Sequence, residues 1–160
     1  MNIFLDVLYT VGLILWYYVE AVISLLTPPS FKREKSVAGK TAVVTGAGQG
    51  LGRLISIGLA SKGARVVLWD INLKGLKETK AIIERNGGEA FVYECNVADR
   101  SAVYDTANSV RRDVGEVYLL VNNAGIVNGK WLLDTPDDQV QRVMDVNATA
   151  HFWVRVPTQT

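Results

Sequence analysis

Residues 40–52 read KTAVVTGAGQGLG, a β-branched run that breaks into a glycine-rich turn and continues as LISIGLAS, a helical pattern closed by Gly63. The order of strand, glycine turn and helix decides the fold. A strand ending at Thr45 and a helix opening at Leu51 leave few residues to reverse the chain. Gly46, Gly50 and Gly52 then supply a tight turn, close approach of backbone to a bound group, and close packing of helix on strand. The helix start offers unpaired N–H groups and the positive end of its dipole, which suits a pyrophosphate. A glycine-rich turn alone is weak evidence, and its position between strand and helix is what strengthens it.

Outward from this turn the pattern repeats. Residues 65–70 (RVVLWD) read as a second strand, 73–85 as a helix with Leu76 and Ile83 on one face, and 90–95 as a third strand. Val103, Ala107, Val110 and Val114 mark one face of the next helix, with Ser101 as its expected cap. Residues 117–121 (VYLLV) read as a fourth strand, apolar on both faces as a buried parallel strand should be. Another helix is expected from near Pro136 through Val140, Val143, Met144 and Asn147, capped by Asp134 or Thr135. This alternation predicts an α/β fold with a parallel sheet. Its strands would order 3-2-1-4, leaving the fourth as an open edge.

Two further positions belong with the glycine turn. Asp70 ends the second strand, where a carboxylate can accept both hydroxyls of an adenosine ribose and would repel a 2′-phosphate. That favours NAD over NADP, although Arg53, just after the turn, is a base near enough in sequence to attract such a phosphate. Asn122-Asn123-Ala124-Gly125 follows the fourth strand, so its small residues would face the same crevice.

The composition narrows the function classes. Of 160 residues 49% are apolar and 21% charged, with a net charge of +1, which excludes a disordered tail or a basic nucleic-acid-binding arm. The lone Cys95 forms no internal disulfide, and no Cys/His cluster suggests a metal site. Charge is unevenly spread: residues 1–31 hold no Lys or Arg and only Asp6 and Glu20 as acids. From Ile3 to Leu26 the chain is apolar enough to form a helix roughly 36 Å long, enough to cross a hydrocarbon core of about 30 Å. Asp6, Thr10, Tyr17, Glu20 and Ser24 would share one side of it, which leaves a transmembrane span and a helix lying in the interface both open. Pro28 and Pro29 are expected to end the helix. Lys32, Arg33, Lys35 and Lys40 then place the following domain on the cytoplasmic side by the positive-inside rule.

Thr-Gly-x-x-x-Gly-x-Gly after the first strand, Asp70 at the end of the second and Asn-Asn-Ala-Gly after the fourth together resemble the classical short-chain dehydrogenase/reductase family. With the apolar amino-terminal segment, the chain looks most like the membrane-bound 16C branch, similar to epidermal retinol dehydrogenase and hydroxysteroid dehydrogenases. The organisation expected is a membrane-spanning or monotopic helix over 1–30, a truncated Rossmann domain (a doubly wound parallel sheet) over 37–153, and a divergent tail over 154–160, with Pro157 breaking the last helix. The resemblance implies an endoplasmic-reticulum or lipid-droplet membrane and a retinoid or steroid alcohol as substrate. Thr45, Gly46, Gly50, Leu51 and Gly52 would bind the pyrophosphate and Asp70 the adenosine ribose. Asn96 and Val97 stand where the family has Asp-Val beside the adenine, while Asn123, Ala124 and Gly125 would line the nicotinamide side.

The resemblance also implies a catalytic Ser, a Tyr, and a Lys four residues after it, with Asn147 supporting a proton-relay water. Of that set only Asn147 is present: after it there is no Ser, Tyr or Lys, and no earlier Tyr has Lys four places on. Three expectations follow. The first is a truncated, membrane-associated relative that keeps the dinucleotide-binding half and is inactive. The second is an active oxidoreductase completed by another chain. The third is a non-enzymatic membrane protein that pairs with full-length relatives.

Overall fold

The computed structural model describes residues 3–26, 35–129 and 131–158. It divides into two compact units, Met1–Lys35 and Ser36–Thr160. The described part of the first unit holds one helix, α1 (Ile3–Leu26). Its side chains from Leu5 onward are all exposed, and Leu5–Leu26 has a mean hydropathy of 1.6, long and apolar enough to cross a membrane. The Thr10 hydroxyl donates to the Asp6 carbonyl at 2.8 Å, which satisfies that polar group within the helix itself. Pro28, Pro29, Lys32 and Arg33, expected to end the helix and anchor it, lie outside the described residues.

The second unit alternates β1 (Thr41–Thr45), α2 (Gly50–Ser61), β2 (Arg65–Asp70), α3 (Leu73–Arg85), β3 (Glu89–Glu94), α4 (Arg100–Asp113) and β4 (Val117–Val121). A short 3₁₀ turn (Leu132–Asp134) and α5 (Asp137–Met144) follow, then a π-helical segment (Asp145–Thr149) and α6 (Ala150–Thr158). The four strands form one parallel sheet in the order β3-β2-β1-β4, with Val43 paired to Val67 on one side and Leu120 on the other.

Side-chain alternation splits the core into two layers. Val43, Val67 and Trp69 point to the face covered by Val103, Ala107 and Val110 of α4 and by Val146, Ala150 and Val154. Val44, Val66 and Leu68 point to the opposite face, against Ala60 of α2 and Leu76 and Ile83 of α3. Both central strands are thus buried on both faces, which explains their unbroken apolar runs. The carboxyl ends of β1, β2 and β4 open on one side, where ligands bind in sheets of this kind.

Four expectations are corrected. Asp99, not Ser101, caps α4: its Oδ1 accepts from the N–H groups of Ser101 (2.9 Å) and Ala102 (3.2 Å) and from the Ser101 hydroxyl (2.6 Å). Neither Asp134 nor Thr135 caps α5. Asp134 lies in the 3₁₀ turn, and the Thr135 hydroxyl donates to the Trp131 carbonyl. Pro136 takes the cap position without a side-chain bond, and Asp137 and Asp138 complement the helix dipole instead. β4 is half-buried rather than enclosed, with Tyr118 56% exposed, because it is the sheet edge. Pro157 does not break the last helix, which runs through to Thr158. Its fixed φ is itself helical, so the chain continues in the same turn without the one N–H that proline lacks. Gln159 and Thr160 of the expected tail lie outside the described residues.

Candidate functional site

The glycine turn and the turn after β4 are fastened to each other through Thr45. Its hydroxyl donates to the Val121 carbonyl (3.3 Å) and accepts from the N–H groups of Asn123 and Ala124, both at 3.0 Å. The Asn123 amide returns the contact, donating to the carbonyls of Thr45 (2.9 Å) and Gly46 (3.3 Å). Thr45 is almost wholly buried and its hydroxyl fully engaged, so its part is to hold the loop. Gly46 has φ +68°, and a Cβ there would lie 2.9 Å from the Ala124 Cα. Only glycine combines that backbone with that proximity.

Gly50, Leu51 and Gly52 head α2. Gln49 stands at the cap position with extended backbone and makes no side-chain cap. Among the described residues no hydrogen bond uses the N–H groups of Gly50, Leu51 or Gly52. Helix-start donors left without a protein partner are the groups that hold a phosphate. At Gly52 a Cβ would sit 2.1 Å from the Gly46 carbonyl oxygen, so the helix start rests directly on the loop. Leu51 is exposed beside it. A pyrophosphate fits this cradle of bare backbone and unpaired donors.

Asp70 lies across the loop from these donors. Its Oδ2 accepts from the Gly48 N–H and its Oδ1 from the Asn72 N–H, both at 2.9 Å. Each oxygen keeps lone-pair capacity for a further donor. Asn96 is exposed just beyond β3, with its Oδ1 accepting from the Ala98 N–H at 3.1 Å. Val97 is a core side chain packed in the α4 layer. Burial pushes the Cys95 thiol up, with only partial relief from a hydrogen bond with Thr106, so this residue is packing rather than a nucleophile.

Asn147 falls in the π-helical segment and engages both halves of its amide with one residue. Its Oδ1 accepts from the Ile126 N–H and its Nδ2 donates to the Ile126 carbonyl, each at 2.9 Å. A Cβ on Gly125 would lie 3.5 Å from the Asn147 Oδ1. The chain leaving the Asn-Asn-Ala-Gly turn is thereby pinned to the helix, at the kind of π-bulge that recurs at functional sites.

The sequence left two contributors unassigned. Gly75 lets α3 press on the loop, since a Cβ there would meet the Gly48 carbonyl oxygen at 2.5 Å. Thr79, fully buried, brings its hydroxyl within 2.9 Å of the Ala47 carbonyl. A glycine in the first turn of a helix just past Asp70 is the one signal that could have pointed to them. Arg53, the base just after the turn, is engaged within the protein. Its guanidinium donates to Thr79, to the Gly48 and Gly75 carbonyls and to Glu78.

Comparison with known proteins follows this geometry. The short chain dehydrogenase family profile matches residues 40–157. Short-chain dehydrogenase/reductase family 16C member 6 of Bos taurus is 44% identical over 154 residues, covering 96% of this chain and 48% of that protein. Retinol dehydrogenase 10 of Xenopus tropicalis is 40% identical over 178 residues, covering 96% and 51%. The chain therefore spans about half the length of the curated relatives it matches. Among solved structures, a metagenomic short-chain oxidoreductase in complex with NADP superposes with a TM-score of 0.71 at 34% identity, covering 75% of this chain and 55% of that one. Sheet order, glycine turn and sequence agree, and the chain belongs to the short-chain dehydrogenase family, on its 16C-type branch.

Proposed function

We propose that the second unit binds a nicotinamide dinucleotide at the carboxyl ends of β1, β2 and β4, with NAD favoured over NADP, and that α1 attaches the protein to a membrane. The observation that carries this reading is the Asp70 carboxylate, fixed by the Gly48 and Asn72 N–H groups beside a helix start with free donors. A carboxylate so held is ready to accept from ribose hydroxyls and sets its negative charge against a 2′-phosphate. When bound, the dinucleotide supplies a hydride donor or acceptor.

These 160 residues by themselves contain the binding half and no Tyr–Lys pair in the family spacing. Asn147 is a neutral amide whose two ends are already engaged by Ile126, so it neither gives nor takes a proton. We therefore infer binding without turnover. Oxidation of a retinoid or steroid alcohol is expected only when the downstream half is supplied. The membrane reading rests on the length and exposure of α1, and the polybasic stretch that follows favours the cytoplasmic face of an endoplasmic-reticulum or lipid-droplet membrane.

The test is titration of the detergent-purified chain with NAD, ADP-ribose and 2′-phospho-ADP-ribose, followed by assay with retinol and a steroid alcohol. NAD and ADP-ribose should bind about equally, the 2′-phosphate form more weakly, and no turnover should appear. Turnover that Asp70→Ala abolishes would refute the inactive reading.

A further inference from the structure

Arg53 pairs with Glu78, but most of its hydrogen bonds go to the loop and to Thr79 and Gly75 of α3. It is one residue past the glycine turn, with its side chain 26% exposed, and it faces inward between α2 and α3. Its Nε donates to the Thr79 hydroxyl at 3.0 Å. Its Nη2 donates to the Gly48 carbonyl and also reaches the Gly75 carbonyl (3.3 Å) and Glu78 Oε2 (3.0 Å). The Thr79 hydroxyl accepts from Nε and has two carbonyls within reach of its own proton, Ala47 at 2.9 Å and Gly75 at 3.0 Å, the second of which Nη2 also serves.

These bonds act on two consecutive peptide planes of the loop. The Ala47–Gly48 peptide has its carbonyl held by Thr79 and its N–H held by Asp70. The next peptide has its carbonyl, on Gly48, held directly by Arg53. Peptides are planar, so fixing the carbonyl of each fixes the direction of its N–H as well. The guanidinium fork is rigid and presents several donors in one plane, which a lysine cannot imitate.

We propose that Arg53 is a positioning residue of the dinucleotide site: through Gly48 directly and through Thr79 to Ala47, it sets the peptide planes that hold Asp70 and aim the loop at the pyrophosphate. The proposal rests on the dinucleotide-binding reading but makes a claim of its own, that Arg53 works through backbone geometry and not as a charge on the ligand. Glu78 balances its charge on the solvent side, which leaves Arg53 directed at the loop rather than at a 2′-phosphate.

The experiment uses the full chain in detergent, with ADP-ribose and 2′-phospho-ADP-ribose as probes and the Gly48 amide signal in a ¹⁵N spectrum as a readout independent of ligand. Arg53→Lys and Arg53→Gln should each shift the Gly48 amide and lower affinity for both probes by a similar factor, about tenfold. Affinity kept by Arg53→Lys would show that Arg53 acts as a charge. A loss confined to the 2′-phosphorylated probe would make it a phosphate ligand. Either result overturns the proposal, as does an unmoved Gly48 signal. Where the Arg53 variants do not fold, Thr79→Val tests the same link by removing only the hydroxyl. It should move both readouts, while Thr79→Ser leaves them in place. If the unaltered chain binds neither probe, the dinucleotide reading fails, and the Gly48 amide still reports whether the clamp exists.

Discussion

Two glycine-to-alanine changes in the same helix should move stability in opposite directions. In α2, Gly58 is exposed with nothing within 4 Å of an added Cβ, whereas a Cβ on Gly52 would meet the Gly46 carbonyl oxygen at 2.1 Å and the Asn123 Nδ2 at 2.6 Å. At Gly58 the methyl group adds helix propensity at no steric cost, a gain of about 0.5–1 kcal/mol. At Gly52 the same gain is opposed by an overlap nearly a full ångström inside 3.0 Å, below which Cβ atoms essentially never approach other atoms. The obstructing group is backbone, so either α2 or the loop must shift, at a cost of about 1–3 kcal/mol or more. Both variants change the unfolded chain identically, so that contribution cancels in their difference. The separation should be at least about 2 kcal/mol, or roughly 1 M in urea midpoint at the slopes usual for small domains. The assay is urea denaturation of the detergent-solubilised chain followed by circular dichroism, with ADP-ribose titration in parallel. Gly58→Ala should raise the midpoint and leave ADP-ribose affinity alone; Gly52→Ala should lower both. Equal shifts for the two variants would refute the claim that helix and loop are in direct backbone contact.

Asp70→Asn should cost ADP-ribose about tenfold or more in affinity and narrow its advantage over the 2′-phosphate form, because either orientation of the amide sets an NH₂ against one of the two N–H groups now bound; calorimetric titration reads both. Asn147→Leu, which keeps the size and removes both bonds to Ile126, should lower stability by about 1–2 kcal/mol in thermal melts, and no change would mean that the π segment holds itself. Hydrogen bonds from the Ser101 hydroxyl and then the Ala102 N–H hold the Asp99 carboxyl below its usual range, so the cap's stabilisation is present above the ordinary carboxylate pKa and is lost as pH falls through the lower folded value; Asp99→Asn should remove that acid-dependent part of the melting profile. The protein should stay with membranes through a carbonate wash, and recovery of the intact chain in the wash would refute attachment by α1.

Where packing and sequence period coincide, the chain was readable at close range. β2, α3 and β4 begin and end where the apolar runs and their flanking turns place them. β1 ends at Thr45 as expected, whereas β3 is displaced by one residue, because the ends of a parallel strand are set by register with a neighbour, as with Glu89 opposite Arg65. The cap of α4 was misplaced because Ser101 and Asp99 are both good capping residues, and only backbone direction decides between them. At the site, glycines with positive φ and a strand-end carboxylate leave local signatures. Arg53 and Thr79 do not, since their importance arises where α3 crosses behind the loop, a meeting of segments more than 20 residues apart, and only the glycine at 75 hints at it. The helix expected to run through Asn147 ends at Met144, and the bidentate grip of Asn147 on Ile126 depends on a π turn that no propensity announces.

The Thr45 fastening has a consequence for how the protein is made. Thr45 donates to Val121, 76 residues further along the chain, and β1 pairs with both β2 and β4. At about 5–20 residues per second, a ribosome needs roughly 4–15 s to deliver β4 after β1 has been synthesised. In that interval β1 and β2 can already pair, but the other side of β1 stands open and the Thr45 hydroxyl lacks the strand that holds it. The nascent chain therefore carries an apolar edge, 41–45, through most of the unit's synthesis. A pause in translation between codons 70 and 117 would lengthen that exposure, and a chaperone arriving in this window would find the open side of β1.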